Sequence, residues 1–181
     1  MDELNPSHEA DGVYDRMVEL WALRLMVKAV NKHKAKVCEG HGIEEIEEYK
    51  FKWILELLDY KALLGSEANI PSIQSFLRQR LVALEQSLPA REGPLFRNLA
   101  DLASHVGLNR IEEDLVAFAL LLHEAPTMGA CSEFLGSLSG WRVIRVLAAT
   151  LGCTVSEVQV AVHQDSTLRK AGLLELPMRG P

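Results

Sequence analysis

Apolar positions recur at steps of three and four along most of this 181-residue chain, and no long alternating run interrupts them. That period predicts amphipathic helices, with Gly and Pro falling between the periodic segments. After a polar lead, residues 1–12, expected to be flexible, Val13–Lys36 sets Val13, Met17, Leu20, Trp21, Leu25, Val27 and Val30 along one stripe of a long helix. Lys28, Lys32, Lys34 and Lys36 suit the negative end of its dipole. Cys38–Gly42 breaks the pattern, and a second helix, Ile43–Leu64, opens on Glu44, Glu45, Glu47 and Glu48. Its stripe is Ile43, Ile46, Trp53, Ile54, Leu57, Leu58 and Leu64, and Gly65 stops it. Two helices joined by a short glycine turn predict an antiparallel hairpin. A third helix starts at Pro71 and runs to about Ser87, with Ile73, Phe76, Leu77, Leu81 and Leu84 inward.

Pro89–Pro94 is the clearest linker, so the chain divides into a long-helix region, 13–88, and a helical domain, 95–176. Beyond the linker the helices shorten. Leu95–Val106 ends at Gly107, and Asn109 with Glu112 has capping-box spacing for Arg110–Glu124. The Leu115–Leu122 run is apolar nearly all round, which makes that helix the expected centre of the domain. Helices at Met128–Leu135 and Trp141–Leu151 follow, then one opened by the Thr154/Glu157 capping box and reaching about His163.

Composition narrows the class. Apolar residues are 48% and charged residues 24%, the balance of a globular domain that can bury roughly 70% of its unfolded surface without a staple. The net charge of −6 opposes polyanion binding by the chain as a whole. Residues 1–64 and 65–138 each carry −4, whereas residues 139–181 carry +2. No run reaches the roughly 18 residues of a membrane span, so no membrane partner is expected. Without an apolar segment near Met1, and with three scattered cysteines (Cys38, Cys131, Cys153), the expected setting is cytoplasmic.

The most informative pattern is Leu147–Val158. A helix-turn-helix needs a small residue at the crossing, a turn glycine four residues later and an apolar lock on the second helix; Ala148, Gly152 and Val158 have that spacing. Ala103 and Gly107 repeat the first two positions, but the lock falls on Glu113. Asp165–Leu176 reads as a third short helix running into an edge strand, the element order of a winged-helix module over 139–176. A DNA-reading helix should carry Arg, Lys, Asn or Gln toward bases and phosphates. Here it offers Ser156, Gln159 and His163 with Glu157, and the nearby cations are Arg142, Arg145, Arg169 and Lys170. Protein contact therefore outweighs DNA, and the candidate contact residues for either are Arg142, Arg145, Gln159, His163, Arg169 and Lys170.

Other chemistry is thin. Cys38 and His41 make half a zinc site with His33 the one further ligand, short of the usual four, so no metal is expected. Cys131 and Cys153 read as small core residues, His123 as a dipole-matched end residue, and the four glutamates at 44–48 as a solvated face. Gly136–Gly140 lacks the spacing and lysine of a phosphate loop, and no nucleophile or acid–base signature occurs, so neither catalytic residue nor cofactor is expected.

Gly107-Leu108-Asn109-Arg110-Ile111-Glu112-Glu113-Asp114-Leu115, the apolar helix after it, and the closing Ser166–Leu176 element resemble a bacterial group of AAA+ ATPases. In that group an all-helical N-terminal region with a variant winged-helix module precedes the motor core. The resemblance spans about residues 95–176 and leaves the long helices unplaced. It implies a non-catalytic recognition or regulatory domain, and an end at Pro181 falls where the core would begin. The expectation is an all-α chain, a helical hairpin plus a bundle ending in a winged-helix-like module with a short β wing. Its partner would be a protein or an attached ATPase core, with room for a homo-oligomer. The alternative is a winged-helix transcriptional regulator that dimerises through its N-terminal helices, and an enzyme ranks last.

Overall fold

The structure, a computed structural model, describes residues 16–28, 70–87, 91, 93–135, 138 and 140–175. Among them are eight helices and no strand, so the described chain is all-α. They are α1 (16–28), α2 (Ile70–Gln86), α3 (Pro94–Val106) and α4 (Arg110–Glu124), then α5 (Pro126–Leu135), α6 (Trp141–Leu151), α7 (Val155–Ala161) and α8 (Thr167–Lys170). The expected second arm of the hairpin, Ile43–Leu64, and the flexible lead, 1–12, lie outside the described residues.

Local sequence explains the boundaries. Gly107 ends α3 in the left-handed conformation (φ 83°), its N–H donating to the Ala103 carbonyl. Asn109 then caps α4: its side chain accepts from the Ile111 and Glu112 N–H groups, and Glu112 reaches back to the Asn109 N–H. Pro126 starts α5 two residues earlier than the apolar pattern places it, because proline costs nothing in a first turn. α7 ends at Ala161 rather than near His163. After α8 the chain turns back, with the Leu173 and Leu174 N–H groups both donating to the Leu168 carbonyl; it is turn and coil to Glu175.

One apolar cluster draws on both sides of the Pro89–Pro94 segment. Leu77 and Leu84 of α2, Phe96 and Leu99 of α3, Ala117, Phe118 and Leu121 of α4, and Met128 and Cys131 of α5 meet the side chains of α1. α1 is buried nearly all round: Met17, Val18, Leu20, Trp21, Ala22, Leu23, Leu25 and Met26 are all in the core. The stripe expected there was too narrow. α4 is the centre of the 95–176 domain, packing against α3, α5, α6 and α7, but it is not buried all round: Leu120 is 42% exposed and Leu115, Val116 and Leu122 are only part-buried. Trp21 and Phe118 join the two helices edge to face, centroids 5.8 Å apart.

Two ion pairs set the direction of α1 against α2. Glu19 pairs with Arg80 at 2.8 Å and Arg24 with Glu85 at 3.0 Å. Both contacts span 61 positions, so the residue numbers climb together and the helices run parallel. Exposed pairs of this kind add little energy, about 0–1 kcal/mol each, and act mainly on register. At the start of α4, Arg91 pairs with Asp114 and with Glu113 (3.4 Å) and lies over the Phe96 ring. Burial and the neighbouring Arg110 draw its guanidinium down to about 10 despite Glu113, so it is charged at neutral pH.

Candidate functional site

The site residues lie on α6, α7 and α8 and in the turn between the last two. α6 and α7 meet at 111° through a three-residue turn. Gly152 takes the left-handed conformation there (φ 75°), and its N–H and that of Cys153 both donate to the Ala148 carbonyl. The positive φ favours glycine, and a Cβ at 152 would come within 2.8 Å of the Arg24 guanidinium, which would have to shift. That guanidinium reaches across from α1 to donate to the Thr150 carbonyl at 2.8 Å, in the last turn of α6. It supplies an orphan carbonyl with the cation that a helix C-terminus favours. Ala148 and Val158 are buried at the crossing. Thr154 opens α7 with a full capping box, and its hydrogen bonds hold the Glu157 carboxyl below the usual carboxylate range. Glu157 is therefore a capping residue, with its charge committed to its own helix end.

α8 is held by a residue far away in sequence. Glu112, fully buried, uses one carboxylate oxygen on the Asn109 N–H and the other on the Thr167 and Leu168 N–H groups, at 2.8 and 3.3 Å. One side chain thus caps α4 and α8 together. Ser166, the N-cap of α8, accepts from the Arg169 N–H.

The outward face of α7 is a shallow depression of about 360 Å³ lined by Ser156, Gln159, Val160, His163, Asp165 and Ser166. Gln159 and His163 are thereby brought together, and Val160, 65% exposed, is the apolar residue that sequence reasoning overlooked. Arg142, Arg145, Arg169 and Lys170 do not line it. Arg142 and Arg145 are exposed on the first turns of α6, where the Arg145 guanidinium lies 4.7 Å from the Trp141 ring centroid. Arg169 is part-buried on α8 and Lys170 exposed beside it. Of the apolar residues on and after α7, Val155 and Leu173 are exposed, Val162 and Leu174 part-buried, and Val158 wholly buried as the lock of the turn.

The Asp165 N–H donates to His163 Nδ1 at 3.3 Å, so in the neutral ring that nitrogen accepts. It cannot then donate to the Asp165 carboxylate 3.5 Å away, which is the bond that orients a catalytic histidine. Burial raises the Cys131 thiol to about 12, and burial together with Glu157 raises that of Cys153, so neither is a thiolate at neutral pH. Cys153 is only part-buried, a correction to its reading as a core residue. Among the described residues no group of three or more His, Cys, Asp or Glu is placed to hold a metal ion. Cys38, His41 and His33 lie outside them. No single described helix is long and apolar enough to cross a membrane.

Comparison with protein-family models, with curated protein sequences and with solved structures finds no match to this chain.

Proposed function

We propose that this chain is a non-catalytic recognition or regulatory domain that works by protein–protein contact, of the kind that precedes the motor core of a bacterial AAA+ ATPase. One observation carries the reading. The outward face of α7, which would have to enter a DNA groove, presents Ser156, Gln159, Val160 and His163 beside Asp165, with no arginine or lysine. Phosphate neutralisation supplies most of the affinity of a DNA reader, and an exposed carboxylate beside the reading helix opposes it. A hydroxyl, an amide, an imidazole and an exposed valine are what a protein surface can use. In this reading α6 and α7 are a helix-turn-helix of a winged-helix-like module turned to protein contact, in a cytoplasmic setting and with room for self-association. The motor-core part expects a phosphate-binding loop with its lysine in the same reading frame past Pro181.

The runner-up, a DNA-binding regulator, is favoured by the 111° crossing, within the range of DNA-binding helix pairs, and by the exposed Arg142, Arg145 and Lys170. Titration of labelled duplex DNA at low and physiological salt separates the two. The expected result is no complex tighter than the roughly 10⁻⁴–10⁻⁶ M non-specific range at physiological salt. A nanomolar, sequence-selective complex that weakens on Arg142→Ala or Arg169→Ala would replace the protein-contact reading with the DNA one.

A further inference from the structure

We propose that the first turns of α6 are a docking site for an acidic segment of a partner protein, an apolar side chain packing on Trp141 while carboxylates meet Arg142 and Arg145. This names the partner chemistry and rests on the protein-contact reading.

Trp141 is 61% exposed, the largest exposed side chain among the described residues, although helical spacing puts it in line with part-buried Ile144 and buried Ala148. The Arg145 guanidinium stacks over the indole and leaves much of the ring to solvent. Trp and Arg are the residue types that most often dominate the energy of protein interfaces, because each combines a large flat contact area with a directed polar group.

Charge complementarity fixes the occupant. The chain is acidic overall, and Arg24, Arg80, Arg91 and Arg110 each hold a carboxylate of the chain itself. Arg142 and Arg145 have no carboxylate among the ion pairs of the described residues, and residues 139–181 carry +2 where 1–64 and 65–138 each carry −4. Two arginines three apart on one helix face match a pair of carboxylates. A nucleic acid needs a longer cationic track, and Glu157 and Asp165 on the next elements are both exposed.

The test titrates the intact chain with labelled peptides of about a dozen residues: Glu-rich with one central Leu, the same with Glu changed to Gln or to Lys, and the same with Leu changed to Ser. The acidic Leu peptide should bind about tenfold tighter than each of the others, and Trp141→Ala or the pair Arg142→Ala, Arg145→Ala should each cost about tenfold. Trp141→Phe should retain most of the affinity, and unchanged melting curves would show the variants folded. Equal binding of all peptides, no binding, or affinity unmoved by the variants would overturn the docking site. If Gln or Lys peptides bind best and the α6 variants bind them normally, protein contact stands and this surface falls. If only duplex DNA binds, with a steep salt dependence, both fall.

Discussion

Residues 16–28 and Arg110–Glu124 are both leucine-containing helices of similar length, yet α1 is buried nearly all round while α4 keeps Ala119 and Leu120 toward solvent. By sequence α4 has the longer unbroken apolar run, Leu115–Leu122, whereas Arg16, Glu19, Arg24 and Lys28 are spaced along α1. The polar residues of α1 do not force it to the surface. Glu19 and Arg24 pass their charges to Arg80 and Glu85 of α2, and Arg24 also meets the Thr150 carbonyl. Burial of a helix is thus set by whether its polar groups find partners as well as by how many apolar residues it has. α4 in turn spends its polar start on structure: Arg91 meets Asp114 and Glu113, and Glu112 ties down α8.

The comparison breaks most easily at its apolar centres. Leu23→Ala in α1, at a site with no solvent exposure, should cost about 2–5 kcal/mol, and Leu120→Ala in α4 should stay within about 0.5 kcal/mol. Urea unfolding monitored by circular dichroism measures both, and similar midpoints for the two variants would contradict α1 as the core helix.

The next effect sharpens the role of α4 as a distant cap. Glu112→Ala leaves the Asn109, Thr167 and Leu168 N–H groups without their acceptor and should cost about 2–3 kcal/mol. Amide exchange should rise at 167 and 168 as well as at the start of α4. A change confined to α4 would mean that the bridge to α8 does not form in solution.

The smallest effect belongs to the corresponding reach of α1. Arg24→Ala removes the Thr150 hydrogen bond and the Glu85 pair, and should cost about 1–2 kcal/mol, the exposed Glu85 side adding little. Gly152→Ala should be less damaging in that background than in the parent chain, because the guanidinium that a Cβ would strike is gone while the strain of φ 75° remains. Strictly additive melting shifts would show that Arg24 does not sit against the turn.

Much of the fold was legible from local chemistry. The glycine stops at 107 and 152 and the capping boxes at Asn109/Glu112 and Thr154/Glu157 stand where the spacing puts them, because a cap is satisfied by residues within four positions of each other. The spacing of Ala148, Gly152 and Val158 likewise located the turn between α6 and α7. The candidate site was legible only in part: Gln159 on α7 and His163 in the turn after it share a depression, but the four cations singled out with them lie elsewhere on α6 and α8.

What the sequence determined by itself, then, is the helical character of the described residues and the helix ends set by glycine stops and capping boxes, which depend on contacts no longer than one turn. Only the tertiary structure decided that α1 is buried nearly all round while α4 leaves Leu120 exposed, that α1 and α2 run parallel, that the second oxygen of Glu112 caps a helix 55 positions away, and that Trp141 stands exposed. Periodicity says which side chains share a face; it carries no information about whether a neighbour covers that face. That depends on pairings between residues distant in sequence, and in this chain those pairings are made by single polar side chains, Arg24 and Glu112, whose reach no local pattern encodes.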